Sequence, residues 1–89
     1  MARYEVREPD LAVMGQQNVT PDMFFKLGID YSVGRGVCPD RVAAHKWFNL
    51  AAARGNRDAA RHRQEIAAEM TAHEIAEAQR QAREWLSRH

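Results

Sequence analysis

The side chains best suited to chemistry in this sequence are a single cysteine, Cys38, and four histidines, His45, His62, His73 and His89. Two histidines bind one metal ion from a helix when they stand four residues apart, and no pair here has that spacing. We interpret them as ordinary surface or cap-adjacent histidines. The sequence therefore predicts neither a metal site nor a bound cofactor.

Two other features could suggest catalysis. Cys38 lies beside Pro39 in a predicted turn, but no recognised nucleophile motif surrounds it. The segment Gly34-Arg35-Gly36 has the glycines of a phosphate loop. A helix rather than a strand is predicted to precede it, however, and neither the dinucleotide-binding nor the P-loop spacing is present. We predict that the chain is not an enzyme.

Four arginines lie close together in the sequence: Arg54, Arg57, Arg61 and Arg63. A solvated face is the simplest interpretation, and a patch that binds nucleic acid or an acidic partner around residues 54–63 is the alternative. The chain has 13 basic and 12 acidic side chains, for a net charge of +1, so its overall field attracts nucleic acid little. Nucleic-acid binding is therefore disfavoured.

The length and composition indicate one domain outside the membrane. A chain of 89 residues forms one domain, which buries somewhat over ~60% of its unfolded surface. No segment approaches the ~18 consecutive apolar residues of a membrane span, and residues 1–20 lack the apolar core of a secretory signal. One cysteine cannot form an internal disulfide, which favours the cytoplasm.

The boundaries of four helices follow from caps and breakers. Thr20-Pro21-Asp22 predicts a helix start, and that helix runs to about residue 33, before the glycines at 34 and 36. Asp40 caps a second helix over residues 41–54, which Gly55 ends. Asn56 or Asp58 starts a third, with its body over residues 59–70, and the capping box Thr71–Glu74 starts a fourth that runs to about residue 87.

This pattern predicts an all-α fold of about four helices arranged as antiparallel helical hairpins. Residues 1–19, which Pro9 and Gly15 interrupt, are predicted to form an irregular arm that docks through Leu11, Val13 and Met14, with a short strand over residues 4–6 as the alternative. Residues 20–89 form the helical domain.

The first two helices carry matching apolar faces. Phe24, Leu27, Gly28 and Tyr31 share one face of the first helix, and Gly28 in its centre indicates a close helix contact. Phe25 and Ile29 form a second stripe, which needs a cover. Either the arm or the third helix packs on it, or part of it lines a groove for a partner segment.

Residues 21–56 contain an ordered set of small, aromatic and turn residues: Leu27-Gly28-x-x-Tyr31, Gly34-Arg35-Gly36-Val37, Asp40, Ala44, Trp47-Phe48, Ala51-Ala52 and Gly55. This set resembles one full Sel1-like repeat, a helical repeat related to the tetratricopeptide repeat. Residues 57–89 depart from the pattern and resemble a degenerate C-terminal hairpin, of the kind that ends bacterial members of the family. The resemblance implies a TPR-like α/α superhelix.

The resemblance also implies a function, since members of the family are adaptors that gather other proteins. Their ligands are usually held on the surface lined by the first helix of each repeat. On this chain that surface would present Asp22, Phe25, Ile29, Ser32, Arg61 and Glu65. One and a half repeats is fewer than the ~3 usually needed for stability, so we also expect self-association. The implied partner is a protein or peptide.

Overall fold

The computed structural model describes residues 20–88, which form four α-helices: α1 (Pro21–Val33), α2 (Arg41–Ala53), α3 (Arg57–Ala67) and α4 (Ala72–Arg88). This part of the chain contains no strand. The prediction of an all-α fold with four helices is confirmed. The arm predicted for residues 1–19, with its docking residues and its alternative strand, lies outside the described residues, as does His89.

Each helix begins at a side-chain cap that the sequence predicts. The side-chain oxygens of Thr20, Asp40 and Asn56 accept a hydrogen bond from the backbone N–H three residues ahead, at 3.2, 3.1 and 2.8 Å. Thr71 and Glu74 bond to each other's backbone N–H, at 3.1 and 2.9 Å, and so form the capping box. Helix starts are local features, and the sequence therefore predicts them well.

The end of α3 differs from the prediction. The helix ends at Ala67, three residues before the predicted end at Met70. The N–H groups of Glu69 and Met70 each bond to the carbonyl three residues back, at 3.0 Å, which is a tighter turn than an α-helix. Since Thr71 must already be extended to cap α4, the chain leaves α3 early although residues 67–70 are good helix formers.

The contact between α1 and α2 depends on a missing side chain. A Cβ atom placed on Gly28 would lie 2.5 Å from two carbons of the Phe48 ring, so only glycine fits at this point. The turn between the helices also needs glycine, because Gly34 has a φ of 81° and donates its N–H to the carbonyl of Asp30 at 2.8 Å. Both roles were predicted from the sequence and are confirmed.

Helix α2 is the centre of the domain. The closely packed helix pairs are α1 with α2, α3 with α2, and α4 with α2. Helix α2 accordingly buries residues around most of its circumference: Ala43, Ala44, His45, Lys46, Trp47, Phe48, Leu50 and Ala51. Helices α3 and α4 were expected to pair with each other as a second hairpin over residues 57–89. Instead, each of them packs closely on α2.

An aromatic cluster explains why α4 packs on α2. The Trp85 ring meets the Phe24 ring edge-on at 5.1 Å and the Trp47 ring at 5.9 Å, and Phe24 stacks on Trp47 at 5.7 Å. Aromatic side chains bury large apolar areas, and edge-on and stacked ring pairs add to that stabilisation. The cluster therefore attaches α4 to the α1–α2 hairpin.

One histidine lies in this core. His45 is 3% exposed, and its Nδ1 has no hydrogen-bond partner within residues 20–88. Burial and, second, the positive charge of Arg63 lower the pKa of His45 below its ordinary value of 6.5. The interpretation of His45 as a surface histidine is wrong, because the small residues around it in α2 let neighbouring helices cover it.

We expect Gly28→Ala to destabilise the domain. Alanine would favour the helix by ~1 kcal/mol, but its Cβ would overlap the Phe48 ring, and overpacking costs about 1–3 kcal/mol. Urea denaturation should give a lower midpoint for the variant. In the double variant with Phe48→Leu, the two losses should be less than additive, because the smaller side chain removes the clash. A Gly28→Ala variant more stable than the parent would contradict this packing.

We expect acid to weaken the fold through His45. Its folded pKa is lowered, so below pH ~6.5 the unfolded chain takes up a proton that the folded chain does not. The free energy of unfolding should therefore fall as the pH decreases from about 7.5 to 5.5. His45→Gln should flatten this slope, and His73→Gln, which changes an exposed histidine, should leave it. Equal slopes in the parent and in His45→Gln would refute this prediction.

Candidate functional site

A groove lies beside α2, between the C-terminal end of α1, the N-terminal part of α2, and α3. Its volume is about 600 Å³, which is within the range of ~300–1,000 Å³ typical of ligand-binding clefts. The groove also reaches Glu74 in the first turn of α4. It is thus formed by all four helices.

Apolar side chains on three segments form the floor of the groove. They are Pro39 before α2, Val42 and Phe48 on α2, and Ile66 on α3. Phe48 and Ile66 are 1% and 9% exposed and belong to the core, so this part of the floor is fixed by packing. Val42 is half-buried and presents its side chain to the opening.

Carboxylates dominate the rim. Four acidic residues line the groove, Asp40, Glu65, Glu69 and Glu74, and Arg41 is the one lysine or arginine among the lining residues. Asp40 and Glu74 each use one oxygen to cap a helix. Glu69 is exposed and forms no ion pair or hydrogen bond through its side chain within residues 20–88. The groove is therefore negatively charged.

His62 joins the floor to the rim. Its ring lies 5.4 Å from the ring of Phe48 and 5.1 Å, edge-on, from the ring of Phe25. On the other side, its Nδ1 lies 3.9 Å from Oε1 of Glu65. His62 therefore packs the middle of α3 against the α1–α2 hairpin, and Glu65 follows it about one turn later on the same helix.

The structure brings two of the six predicted partner-binding residues to this groove. Ser32 and Glu65 line it. Asp22 lies elsewhere, where it accepts a hydrogen bond from Asn56 Nδ2 at 3.2 Å. Arg61 is exposed and pairs with Asp58 at 3.2 Å. Asp22 thus links the start of α1 to the N-cap residue of α3, and Arg61 forms an ion pair within α3.

The remaining two predicted residues form part of the folded body. Phe25 and Ile29 are half-buried and pack against the core. Phe25 lies 5.8 Å from the Phe48 ring and is covered in part by His62. Of the two alternatives for this second stripe, the described residues show α3 packing on Phe25. Phe25 thus packs against Phe48, which forms part of the groove floor.

Sequence reasoning missed most of the lining. Val42, Ile66 and Glu69 were not selected, and Glu74 was recognised only for its role in the capping box. Each of them lies near the end of a helix, where the turn decides what it faces. The one signal available was the spacing of Glu65 and Glu69, four residues apart on the third helix.

Three of the four arginines in the cluster make contacts within the domain. Arg54 lies over the Phe24 ring at 5.5 Å, Arg61 pairs with Asp58, and Arg63 donates to Asn49 Oδ1 at 2.7 Å. These contacts direct three of the four guanidinium groups to their own domain. They support the interpretation of the cluster as a structural and solvated surface.

Two searches of the described residues bear on other kinds of site. Within residues 20–88, no group of three histidine, cysteine, aspartate or glutamate side chains is placed to hold a metal ion. None of the four described helices is both long and apolar enough to cross a membrane. Cys38 is exposed in the turn before α2.

Comparisons with family models, with curated proteins and with solved structures gave no significant match. The resemblance to Sel1-like repeats therefore depends on the residue pattern of 21–56 alone. Function must be argued from the groove itself.

Proposed function

We propose that this protein is an interaction module that binds a segment of a partner polypeptide in the groove between α1, α2 and α3. The observation that carries the proposal is the groove's composition, an apolar floor fixed by the core and a charged rim. Affinity for a peptide comes from burying an apolar side chain in a preformed pocket, and polar groups around the pocket select its neighbours. The groove has both an apolar floor and a charged rim.

Preorganisation supports this function. Ordering a flexible loop or side chain on binding costs about 0.5–1.5 kcal/mol for each group. Phe48 is fixed between Gly28 and the rings of Phe25 and His62, so the floor would lose little freedom when a peptide binds. A domain this small can therefore offer a rigid binding surface.

The chemistry of the lining favours binding over catalysis. A catalytic site needs a nucleophile or general base held against a group that orients it. The groove contains one imidazole, that of His62, whose ring packs against Phe25 and Phe48. Its Nδ1 lies 3.9 Å from Oε1 of Glu65, too far for the hydrogen bond that would orient a general base. We accordingly propose an adaptor of the Sel1-like type that works in the cytoplasm, and not an enzyme.

The proposal is tested by replacing the accessible part of the floor. Peptides selected from a displayed random library on the purified protein should bind the parent and bind Val42→Asp at least ~10-fold more weakly, a loss of about 1.4 kcal/mol. Val42 is half-buried, so the variant should keep its helicity by circular dichroism. Fluorescence anisotropy of the labelled peptides measures the affinities.

Leu86→Asp is the matched control, since Leu86 is exposed on α4 and does not line the groove. It makes the same kind of change and should leave binding intact. If the selection yields no peptide, or if the selected peptides bind Val42→Asp as tightly as the parent, the groove is not the binding site.

A further inference from the structure

We infer that the segment bound in the groove is basic, with lysine or arginine on either side of one large apolar side chain. This inference rests on the proposed function and adds the chemical class of the partner. The inference depends on charge complementarity between the groove and the bound segment. The rim has four carboxylates against the single guanidinium of Arg41, and an acidic segment would be repelled while a cationic one is attracted.

The position of the carboxylates on α3 strengthens this inference. Glu65 lies in the last turn of α3 and Glu69 lies two residues beyond its end, so two like charges that repel each other stand at the same end of the helix. They also lie at the C-terminal end, where the helix dipole disfavours negative charge. The last turn of α3 has no basic residue to offset this. Both carboxylates are therefore poorly placed for the stability of the helix.

A bound cation would reduce both the repulsion between the two carboxylates and their unfavourable interaction with the helix dipole. Glu69 has no hydrogen-bond or ion-pair partner within the described part of the chain, and Glu65 has only the distant Nδ1 of His62. Lysine or arginine side chains of a partner can approach these carboxylates from solvent while their aliphatic stems cover Ile66. The apolar side chain between them then meets Val42 and Pro39, the accessible apolar side chains of the floor.

The other ligand classes fit the groove less well. The carboxylates do not converge on a point where a metal ion could bind. Phosphate groups and nucleic acid carry the same sign of charge as the rim. A second copy of this chain remains as a competitor, because Leu86 is an exposed apolar residue between Arg83 and Arg88 on α4.

Three synthetic peptides of equal length separate the contributions of charge and apolar surface. One carries lysine and leucine, one glutamate and leucine, and one lysine and serine. By fluorescence anisotropy we expect the lysine–leucine peptide to bind at least ~10-fold more tightly than the others. Its affinity should fall as the salt concentration rises, since salt screens exposed charges.

The double variant E65Q/E69Q should weaken binding of the lysine–leucine peptide by ~10-fold. It should also have a higher denaturation midpoint than the parent, which a loss of structural side chains would not produce. The double variant E77Q/E84Q removes the same charge from α4, outside the groove, and should leave peptide binding unchanged.

The outcomes distinguish the two proposals. Unchanged binding of the lysine–leucine peptide to E65Q/E69Q overturns the basic partner, and so does tighter binding of the glutamate–leucine peptide. If that acidic peptide is lost in Val42→Asp, the groove still binds peptides and only its proposed charge preference fails. If no peptide binds at low salt and the library selection also fails, both proposals fall.

The same variants test whether a second copy of the chain occupies the groove. Sedimentation of the full chain should show no association that E65Q/E69Q or Leu86→Asp abolishes. Self-association lost in both of these variants would identify another copy of the chain as the occupant and overturn the proposal of a separate basic partner.

Discussion

The close contact between Gly28 and Phe48 determines where everything else in this domain lies. Because the first helix has no side chain at that point, the Phe48 ring fits against its backbone and is almost fully buried. Phe25 and His62 then pack around the same ring. A core residue thus becomes the floor of a groove, and the rigidity of the floor follows from the packing of the hairpin.

The placement of α4 leaves the groove open. In an array of paired helices, the fourth helix would pack along the third and cover its exposed side. Here Trp85 packs edge-on against the stacked rings of Phe24 and Trp47, so α4 packs on α2 instead. The carboxylates at the end of α3 remain exposed, and the turn into α4 brings Glu74 to the same rim.

The features that the sequence predicts correctly are those determined by residues close together in the chain. All four helix starts, the glycine turn and the approach at Gly28 follow from local rules, and the structure confirms them. The end of α3 was not predicted, because the cap of α4 at Thr71 overrides the helix propensity of residues 67–70. The packing of α4 was not predicted, because it depends on contacts of Trp85 with residues far away in the sequence. For the same reason only Ser32 and Glu65 of the predicted binding residues line the groove. Ile66, Glu69 and Glu74 face it because of a turn whose geometry no residue type reveals.

The division between floor and rim separates two demands on a binding module. Apolar floor contacts supply most of the affinity, but they discriminate poorly among partners that present a similar apolar side chain. Exposed carboxylates add little affinity each, yet they repel acidic segments and attract basic ones before contact. Since Glu65 and Glu69 place negative charge at the C-terminal end of α3, where the helix dipole disfavours it, we attribute their presence to this proposed selection rather than to folding. In the proposed complex, the partner can then vary within the basic class without any change in the hydrophobic core that holds the four helices together.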